Sequence, residues 1–261
     1  MAAEGQEQGL RCRGLDVAFG GNSVLRQIDF DARPGFTGLI GPNGAGKTTI
    51  FNVITGYVRP QGGDVTLDGV DLLGKRRSAI AHTGVARTFQ TPKLITEISV
   101  LENVMLGMDG HRRLRDWRSV LGTPGRERTA RREALAALGE FGLARYADQP
   151  VSSLSLGSQK LIEVVRALVS KPRLLLLDEP AAGVSVDEVK RMTEPLMRWT
   201  TENGLCLVII EHDLELVSQL CPTITVLDFG RVLVTGGPRE VTSNPEVISA
   251  YLGASFAAER A

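Results

Sequence analysis

The feature that most constrains the fold of this chain is a glycine-rich run that directly follows a short apolar segment. It reads Gly41-Pro42-Asn43-Gly44-Ala45-Gly46-Lys47-Thr48 and matches the pattern G-x-x-x-x-G-K-[ST]. Glycines let the backbone turn its N–H groups inward around a phosphate, and the start of a following helix adds partial positive charge. Lys47 can then reach the β- and γ-phosphates of a nucleotide, and the Thr48 hydroxyl can bind Mg²⁺. The run, with the adjacent Thr49, predicts a site for ATP and Mg²⁺; a glycine turn carrying a solvated lysine is the alternative.

Three apolar runs are continuous rather than alternating. They cover residues 36–40, 174–177 and 205–210. Strands read this way when both faces of a parallel sheet are covered by helices. Residues 10–35 instead alternate and are punctuated by glycine turns, as in an antiparallel sheet. The pattern predicts an α/β fold that contains both kinds of sheet.

Helical patterning dominates the rest of the chain. Residues 97–150 read as a group of helices inserted between predicted strands, and a further helix is predicted at about 186–201. Pro195 lies inside that helix, where a proline costs about 3 kcal/mol. We expect a kink or a break there.

An acidic pair follows the apolar strand at residues 174–177. Asp178 and Glu179 stand at its carboxyl end and are followed by Pro180. Carboxylates at the end of a buried strand are costly unless a ligand requires them. Beside a phosphate loop, Asp178 would hold Mg²⁺ and Glu179 would polarise the attacking water. A helix cap is the alternative interpretation.

Two more polar side chains follow predicted strands in the same way. His212 stands after the strand at 205–210, in a position suited to contact a γ-phosphate. Gln90 follows the segment 85–89, from which its amide could reach Mg²⁺ or the attacking water. Together with Glu179, these residues are the predicted catalytic group.

The segment that makes the assignment specific is short and precedes an amphipathic helix. It reads Leu154-Ser155-Leu156-Gly157-Ser158-Gln159. It lies where ATP-binding-cassette (ABC) ATPases carry their signature L-S-G-G-Q, and with the preceding motifs the chain resembles the nucleotide-binding subunits of ABC transporters. Ser155 and Gly157 at a helix N-terminus would form a second anion site.

The resemblance implies a P-loop NTPase with a RecA-like core, an antiparallel β subdomain and an inserted helical subdomain at about 97–170. One nucleotide-binding domain would span residues 8–253, with a flexible tail at 254–261. Phe19 stands where the family stacks an aromatic ring on adenine, although a core strand residue would look the same. The signature of one subunit closes over the phosphate loop of another in this family, which implies a homodimer or a heterodimer with a similar ATPase.

Three positions depart from the family pattern. Leu156 replaces the first signature glycine, Ser158 replaces the signature glutamine, and Ser185 stands where many members carry aspartate. The substitutions at 158 and 185 concern communication between subunits and leave the predicted fold unchanged.

Within the family the chain looks most like an ATPase of branched-chain amino-acid importers; close relatives carry urea, short amides or aromatic acids. The segments that carry this likeness are Phe51-Asn52-Val53-Ile54-Thr55-Gly56, Ala86-Arg87-Thr88-Phe89-Gln90, residues 123–135 and Ala250-Tyr251-Leu252-Gly253. The resemblance implies integral membrane permease subunits as partners and a place on the cytoplasmic face of the plasma membrane.

The segment 91–98 that follows Gln90 is predicted to be the contact with those membrane subunits. It holds apolar Leu94, Ile95 and Ile98 among polar residues. A connecting loop belongs at the surface because its backbone groups need hydrogen-bond partners. The alternative is that these side chains pin the loop to the helical subdomain.

The sequence offers two alternative functions. A soluble scaffold ATPase, as in iron–sulfur cluster assembly, usually carries threonine where this chain has Pro180. A nucleic-acid function would explain eight arginines between residues 112 and 132, but 30 basic and 30 acidic residues cancel and leave no field to attract nucleic acid. The three cysteines form no Cys-x-x-Cys pair and suit a reducing cytosol. We expect no nucleic-acid partner, no secretion signal at the N-terminus and no membrane span.

Overall fold

The computed structural model describes residues 8–108 and 124–258. Two sheets form its framework. The strands are β1 (Leu10–Phe19), β2 (Asn22–Ala32), β3 (Gly35–Ile40), β4 (Gly62–Leu67), β5 (Val70–Asp71), β6 (Val85–Arg87), β7 (Leu174–Asp178), β8 (Cys206–Ile210), β9 (Thr223–Asp228) and β10 (Arg231–Gly236). The helices are α1 (Lys47–Ile54), α2 (Arg77–His82), α3 (Val100–Met108), α4 (Pro124–Glu140), α5 (Leu156–Leu168), α6 (Val186–Asn203), α7 (Leu214–Leu220), α8 (Pro238–Ser243) and α9 (Pro245–Ala258).

The larger sheet has the order β10-β9-β3-β8-β7-β6, and all of its strands except β10 run parallel. Its central strands are apolar on both faces. In β7, Leu174 and Leu176 face the core shared with the smaller sheet, while Leu175 and Leu177 face the helical side. This confirms the α/β prediction and explains why these strands read as continuous apolar runs.

The smaller sheet is antiparallel, in the order β2-β1-β4-β5, and covers one face of the larger sheet together with α1. Helices α3, α4 and α5 form the helical subdomain against the other face. Its core contains Val104, Leu138 and Phe141, which are fully buried. The larger sheet therefore lies between the antiparallel sheet on one face and the helical subdomain on the other.

The helix α6 continues through Pro195 as one helix of 18 residues, so the predicted break is absent, while a kink at this position stays a prediction. Ser185 and Glu188 form a reciprocal capping box at its start, and Gly204 takes a left-handed conformation at its end. Pro195 is buried. The stability that α6 gains from two capped ends and from its packed face offsets the loss of the one hydrogen bond that Pro195 cannot make.

Several predictions lie outside the described residues. These are the arginines at 112, 113, 115 and 118, position 123, and the last residues of the segment 254–261. The helix α9 includes residues 254–258, and the flexibility of that segment stays a prediction, as do the domain limits 8–253. In the described part of the chain, every helix is too short or too polar to cross a bilayer.

Candidate active site

The phosphate loop joins β3 to α1 at the carboxyl edge of the parallel sheet. Gly46 is the N-cap of α1 with φ +104°, and no side chain of the described residues caps the helix. A Cβ at Gly46 would lie 2.5 Å from Cδ2 of Leu25, and one at Gly41 would lie 2.1 Å from the carbonyl oxygen of Leu227. Only glycine fits at these two positions. N–H groups left uncapped at a helix start can hold an anion, which fits the predicted phosphate site; phosphate binding itself stays a prediction.

The Lys47 side chain is 6% exposed and folds over the loop. Its Nζ donates hydrogen bonds to the carbonyls of Gly41 at 2.6 Å and Pro42 at 2.9 Å. Burial lowers the Lys47 pKa, while the nearby charges of Glu179 and Asp178 act in the opposite direction. The charged Lys47 side chain thus lies near both the loop and the predicted carboxylate pair. Thr48 is exposed beside it.

Asp178 ends β7 in a buried position, where it is paired with a cation that sequence reasoning did not assign. Nη2 of Arg87 on β6 lies 2.7 Å from Asp178 Oδ2. Nη1 of Arg87 donates to Asn52 Oδ1 at 2.7 Å, and the guanidinium group lies over the rings of Phe51 and Phe89. Because β6 and β7 become neighbours only in the folded sheet, no local sequence pattern could have paired these two residues. The ion pair orients the carboxylate.

Glu179 lies between the two other predicted catalytic residues. Its Oε2 accepts a hydrogen bond from Gln90 Nε2 at 2.8 Å, and its Oε1 lies 2.6 Å from His212 Nε2. Its φ of +50° is unusual for a side chain this large. Burial raises the Glu179 pKa, but the bonds from His212 and Gln90 and the charge of Lys47 prevail and hold it below its ordinary value. The group is therefore ionised and able to accept a proton.

The backbone around Glu179 is held by two further buried charges. Glu211 Oε1 accepts from the Ala181 N–H at 2.7 Å, and its Oε2 accepts from the His212 N–H at 3.3 Å. Burial raises the Glu211 pKa, and those two bonds oppose the rise. Lys160 donates to the Glu179 carbonyl at 2.8 Å. Sequence reasoning gave neither residue a role, although a charge beside a buried apolar segment is a usable signal.

The signature segment forms the start of α5. Ser155 is the N-cap, and its hydroxyl accepts from the Ser158 N–H at 3.1 Å. The same hydroxyl donates to Glu188 Oε1 at 3.3 Å, and a Cβ at Gly157 would lie 2.5 Å from the Glu188 carboxyl group. Ser185 caps the neighbouring α6. Two of the residues that depart from the family pattern, at 158 and 185, thus take part in helix caps that join α5 to α6.

Phe19 is the last residue of β1 and is 51% exposed, so the interpretation of it as a core strand residue is wrong. Two residues earlier, Val17 pairs with Leu25, which packs against the phosphate loop at Gly46. The end of the β1–β2 hairpin therefore lies near the loop. An exposed aromatic ring here can serve as a stacking surface.

Comparisons with known proteins establish the family of the chain. The family model described as ABC transporter matches residues 25–182, and the model described as branched-chain amino acid ATP-binding cassette transporter matches residues 231–257. The chain belongs to the ABC transporter family. This confirms the predicted family and the predicted ATPase.

The chain is similar over nearly its whole length to curated transport proteins. It is 39% identical over 249 residues to the high-affinity branched-chain amino acid transport ATP-binding protein LivG of Salmonella typhimurium, covering 94% of this chain and 97% of LivG. Identity to BraF of Pseudomonas aeruginosa, which has the same descriptive name, is 35% over 248 residues, again covering 94% and 97%.

Solved structures give the same result for the fold. An ATP-binding cassette of an ABC transporter in its ADP conformation superposes with a TM-score of 0.82 at 30% identity, covering 94% of this chain and 99% of that one. A nucleotide-free cassette from an ABC transporter superposes with a TM-score of 0.81 at 29% identity, covering 94% and 98%. The predicted P-loop NTPase fold is confirmed, and the chain is an ATP-binding subunit.

Proposed function

We propose that this chain hydrolyses ATP to drive an importer of branched-chain amino acids or of a related amide, urea or organic acid. The observation that carries the catalytic part is the position of the ionised Glu179 between Gln90 and His212, beside the phosphate loop. The names of the similar proteins and the match at residues 231–257 support the cargo class.

The phosphate loop binds the nucleotide through residues 41–49. Backbone N–H groups at the start of α1 hold the phosphate oxygens, and Lys47 turns from the Gly41 and Pro42 carbonyls towards the more negative phosphates. Phe19 stacks on the adenine ring. Because a phosphate is a stronger acceptor than a neutral carbonyl, this exchange favours the bound state.

Hydrolysis assigns a separate role to each member of the Glu179 group. Glu179 accepts a proton from the attacking water as the water oxygen bonds to the γ-phosphorus and the bond to the bridging β-phosphate oxygen breaks, which releases ADP. Gln90 orients that water, since its amide already lies 2.8 Å from Glu179. His212 contacts the γ-phosphate and steadies the carboxylate with its Nε2, 2.6 Å from Oε1. These residues act by positioning the reactants and by electrostatic stabilisation, which are the main contributions of an enzyme to phosphoryl transfer.

The residues around the loop also fit Mg²⁺. Thr48, Asp178 and Gln90 offer hydroxyl, carboxylate and amide oxygens, the hard donors that this ion prefers alongside water and phosphate oxygens. Arg87 presents the Asp178 carboxylate in a fixed orientation. When bound, the ion neutralises charge on the phosphate oxygens.

A dimer completes the site. Ser155 and Gly157 stand at the start of α5, where the helix N-terminus attracts an anion. In the dimer this end of one subunit meets the nucleotide on the phosphate loop of the other, which is a second copy or a similar ATPase. Ser155 then exchanges its bond to Glu188 for one to phosphate.

The membrane permease subunits dock beside the segment 91–98, on the cytoplasmic face of the plasma membrane. Ile95 is 45% exposed, whereas Leu94 is half-buried and packs on the helical core. Glu163 bonds to this segment and also lines a cleft of about 410 Å³ with Leu106. Ile95 and this cleft, rather than Leu94, are the surface that we assign to the partner.

Uptake of labelled leucine, isoleucine and valine by cells lacking this gene tests the proposal, with urea and an aromatic acid measured in parallel. We expect uptake of one class of solute to fall and to be restored by the wild-type gene but not by Glu179→Gln.

Ile95→Asp should also fail to restore uptake and should be lost from the membrane fraction, while its ATPase rate and melting temperature stay normal. Leu94→Asp, the matched control, should instead lower the melting temperature. Full uptake with Ile95→Asp would contradict the docking surface.

A further inference from the structure

The helix that begins with the signature carries two charged side chains in its buried face. Lys160 is 5% exposed and Glu163 is 2% exposed, among apolar neighbours such as Leu161 and Val164. Burying a charge is costly unless strong partners compensate for the lost water. Both residues bind backbone groups of the two loops that carry the catalytic side chains.

Lys160 holds the loop of Glu179. Its Nζ donates to the carbonyls of Glu179 at 2.8 Å and Ala182 at 2.7 Å, at the two ends of the turn that follows β7. Burial lowers the Lys160 pKa, and the carboxylates of Glu211, Glu179 and Glu163 oppose this shift. A charged donor shared by two carbonyls fixes this turn relative to α5.

Glu163 holds the loop of Gln90 in the same manner. Its Oε2 accepts from the Phe89 N–H at 3.1 Å and its Oε1 accepts from the Lys93 N–H at 2.8 Å. The two bonds lie on either side of Gln90 in the sequence. Arg166 lies 3.5 Å from the same carboxylate. The backbone that presents the Gln90 amide is thus tied to α5.

We propose that Lys160 and Glu163 are positioning residues that make α5 a rigid connection between its signature end and both catalytic loops of the same chain. At about 1.5 Å per residue, Lys160 and Glu163 lie about 7.5 Å and 12 Å along the helix from Ser155. A shift of Ser155 when it binds the partner's nucleotide would move the Glu179 and Gln90 loops of its own subunit. This inference rests on the catalytic roles proposed above for Glu179 and Gln90.

The test is a comparison of ATP hydrolysis, ATP affinity and melting temperature for variants of the full-length chain. Lys160→Met and Glu163→Gln should lower kcat by about 10- to 100-fold, the usual effect of a misplacement near 1 Å, while the Kd for ATP changes less than about twofold. Lys160→Arg keeps the charge and should recover most of the rate. If Lys160→Met does not fold, Glu163→Gln decides by the same criteria.

Asn103→Leu is the matched control for lost stability. Asn103 is fully buried and makes three hydrogen bonds to backbone groups of Ile95 and Ser99. None of these bonds involves residues 89–93 or 179–182, the two segments that Glu163 and Lys160 hold. We expect it to lower the melting temperature and to keep kcat. Equal kcat losses in Asn103→Leu and Lys160→Met would reduce Lys160 to a structural anchor and overturn the proposal.

A double variant shows whether Lys160 acts through Glu179. In a Glu179→Gln background, adding Lys160→Met should change the single-turnover rate less than about twofold, because residues that act as a unit are not additive. Losses that multiply, or a wild-type kcat in Lys160→Met, would overturn the positioning role. If Glu179→Gln alone hydrolyses ATP at the wild-type rate, the proposed catalytic assignment fails instead, so the two failures are distinguishable.

Discussion

The phosphate loop and the Glu179 group stand side by side but are built differently. The loop consists of consecutive residues whose backbone path is set by left-handed glycines such as Gly44 and Gly46. The Glu179 group joins side chains 89 and 33 positions apart, through Gln90 and His212. The loop binds mainly with backbone groups, whereas the group acts with side chains that distant segments must hold. Binding and hydrolysis should therefore be separable by mutation.

The largest expected effect tests that separation directly. Glu179→Gln keeps the shape but cannot accept a proton, so kcat should fall by about 10²–10⁴ while ATP binding survives. Lys47→Ala should weaken ATP binding itself, by about 10- to 100-fold in Kd, since a charged hydrogen bond contributes about 1.5–3 kcal/mol. Single-turnover hydrolysis and equilibrium titration of ATP measure the two quantities.

The same Glu179→Gln protein reports on assembly. ATP with Mg²⁺ should drive it into dimers and ADP should not, as light scattering can measure. A monomer under saturating ATP, both alone and with a similar partner ATPase, would contradict the proposed dimer. If Glu179→Gln hydrolysed ATP at the wild-type rate, the assignment of binding to the phosphate loop and of hydrolysis to the Glu179 group would be contradicted.

A smaller effect, on the free energy of unfolding, distinguishes the backbone conformation of the phosphate loop from its side-chain packing. Gly44 and Gly46 both have positive φ. In the part of the chain that the structure describes, a Cβ at Gly44 would meet no atom within 4 Å, whereas one at Gly46 would meet Leu25. Gly44→Ala should cost about 1–2 kcal/mol of stability from the left-handed backbone alone. Gly46→Ala should cost about 1–3 kcal/mol more from overpacking. Denaturant unfolding of both variants measures the difference, and equal losses would show that packing at Leu25 is irrelevant.

The smallest predicted effect is a shift in pH dependence. His212 and Gln90 hold the Glu179 pKa below its ordinary value against the effect of burial, with His212 the larger contributor. Its removal in His212→Ala should raise that pKa, so the acid limb of kcat/KM should move to higher pH, and Gln90→Ala should move it less. In the wild type, stability from ionised Glu179 is present above the unfolded pKa and is lost as pH falls through the folded one. The kcat/KM profiles of the variants and the wild type are recorded in the same buffers, so that the protonation of ATP affects all of them equally. If the acid limb of His212→Ala stays where it is in the wild type, His212 does not lower the Glu179 pKa.

Much of the fold follows from local pattern. The continuous apolar runs predicted strands buried on both faces, and β3, β7 and β8 are such strands. At Pro195 the predicted break does not occur, because capping and burial in α6 offset the lost hydrogen bond, which is all that helix propensity counts. Leu94 and Ile95 are adjacent and equally apolar, so only the packed structure could assign one to the core and the other to the surface.

The sequence by itself determined the phosphate loop, because its function depends on consecutive residues and on the backbone freedom of glycine. It also placed Asp178, Glu179, Gln90 and His212 at strand ends, since parallel strands end at one edge. Only the tertiary structure decided what holds them. The bonds of Arg87 to Asp178, and of Lys160 and Glu163 to the catalytic loops, join segments 19 to 91 residues apart. Such pairings depend on how elements pack in three dimensions, and no local period or motif encodes them.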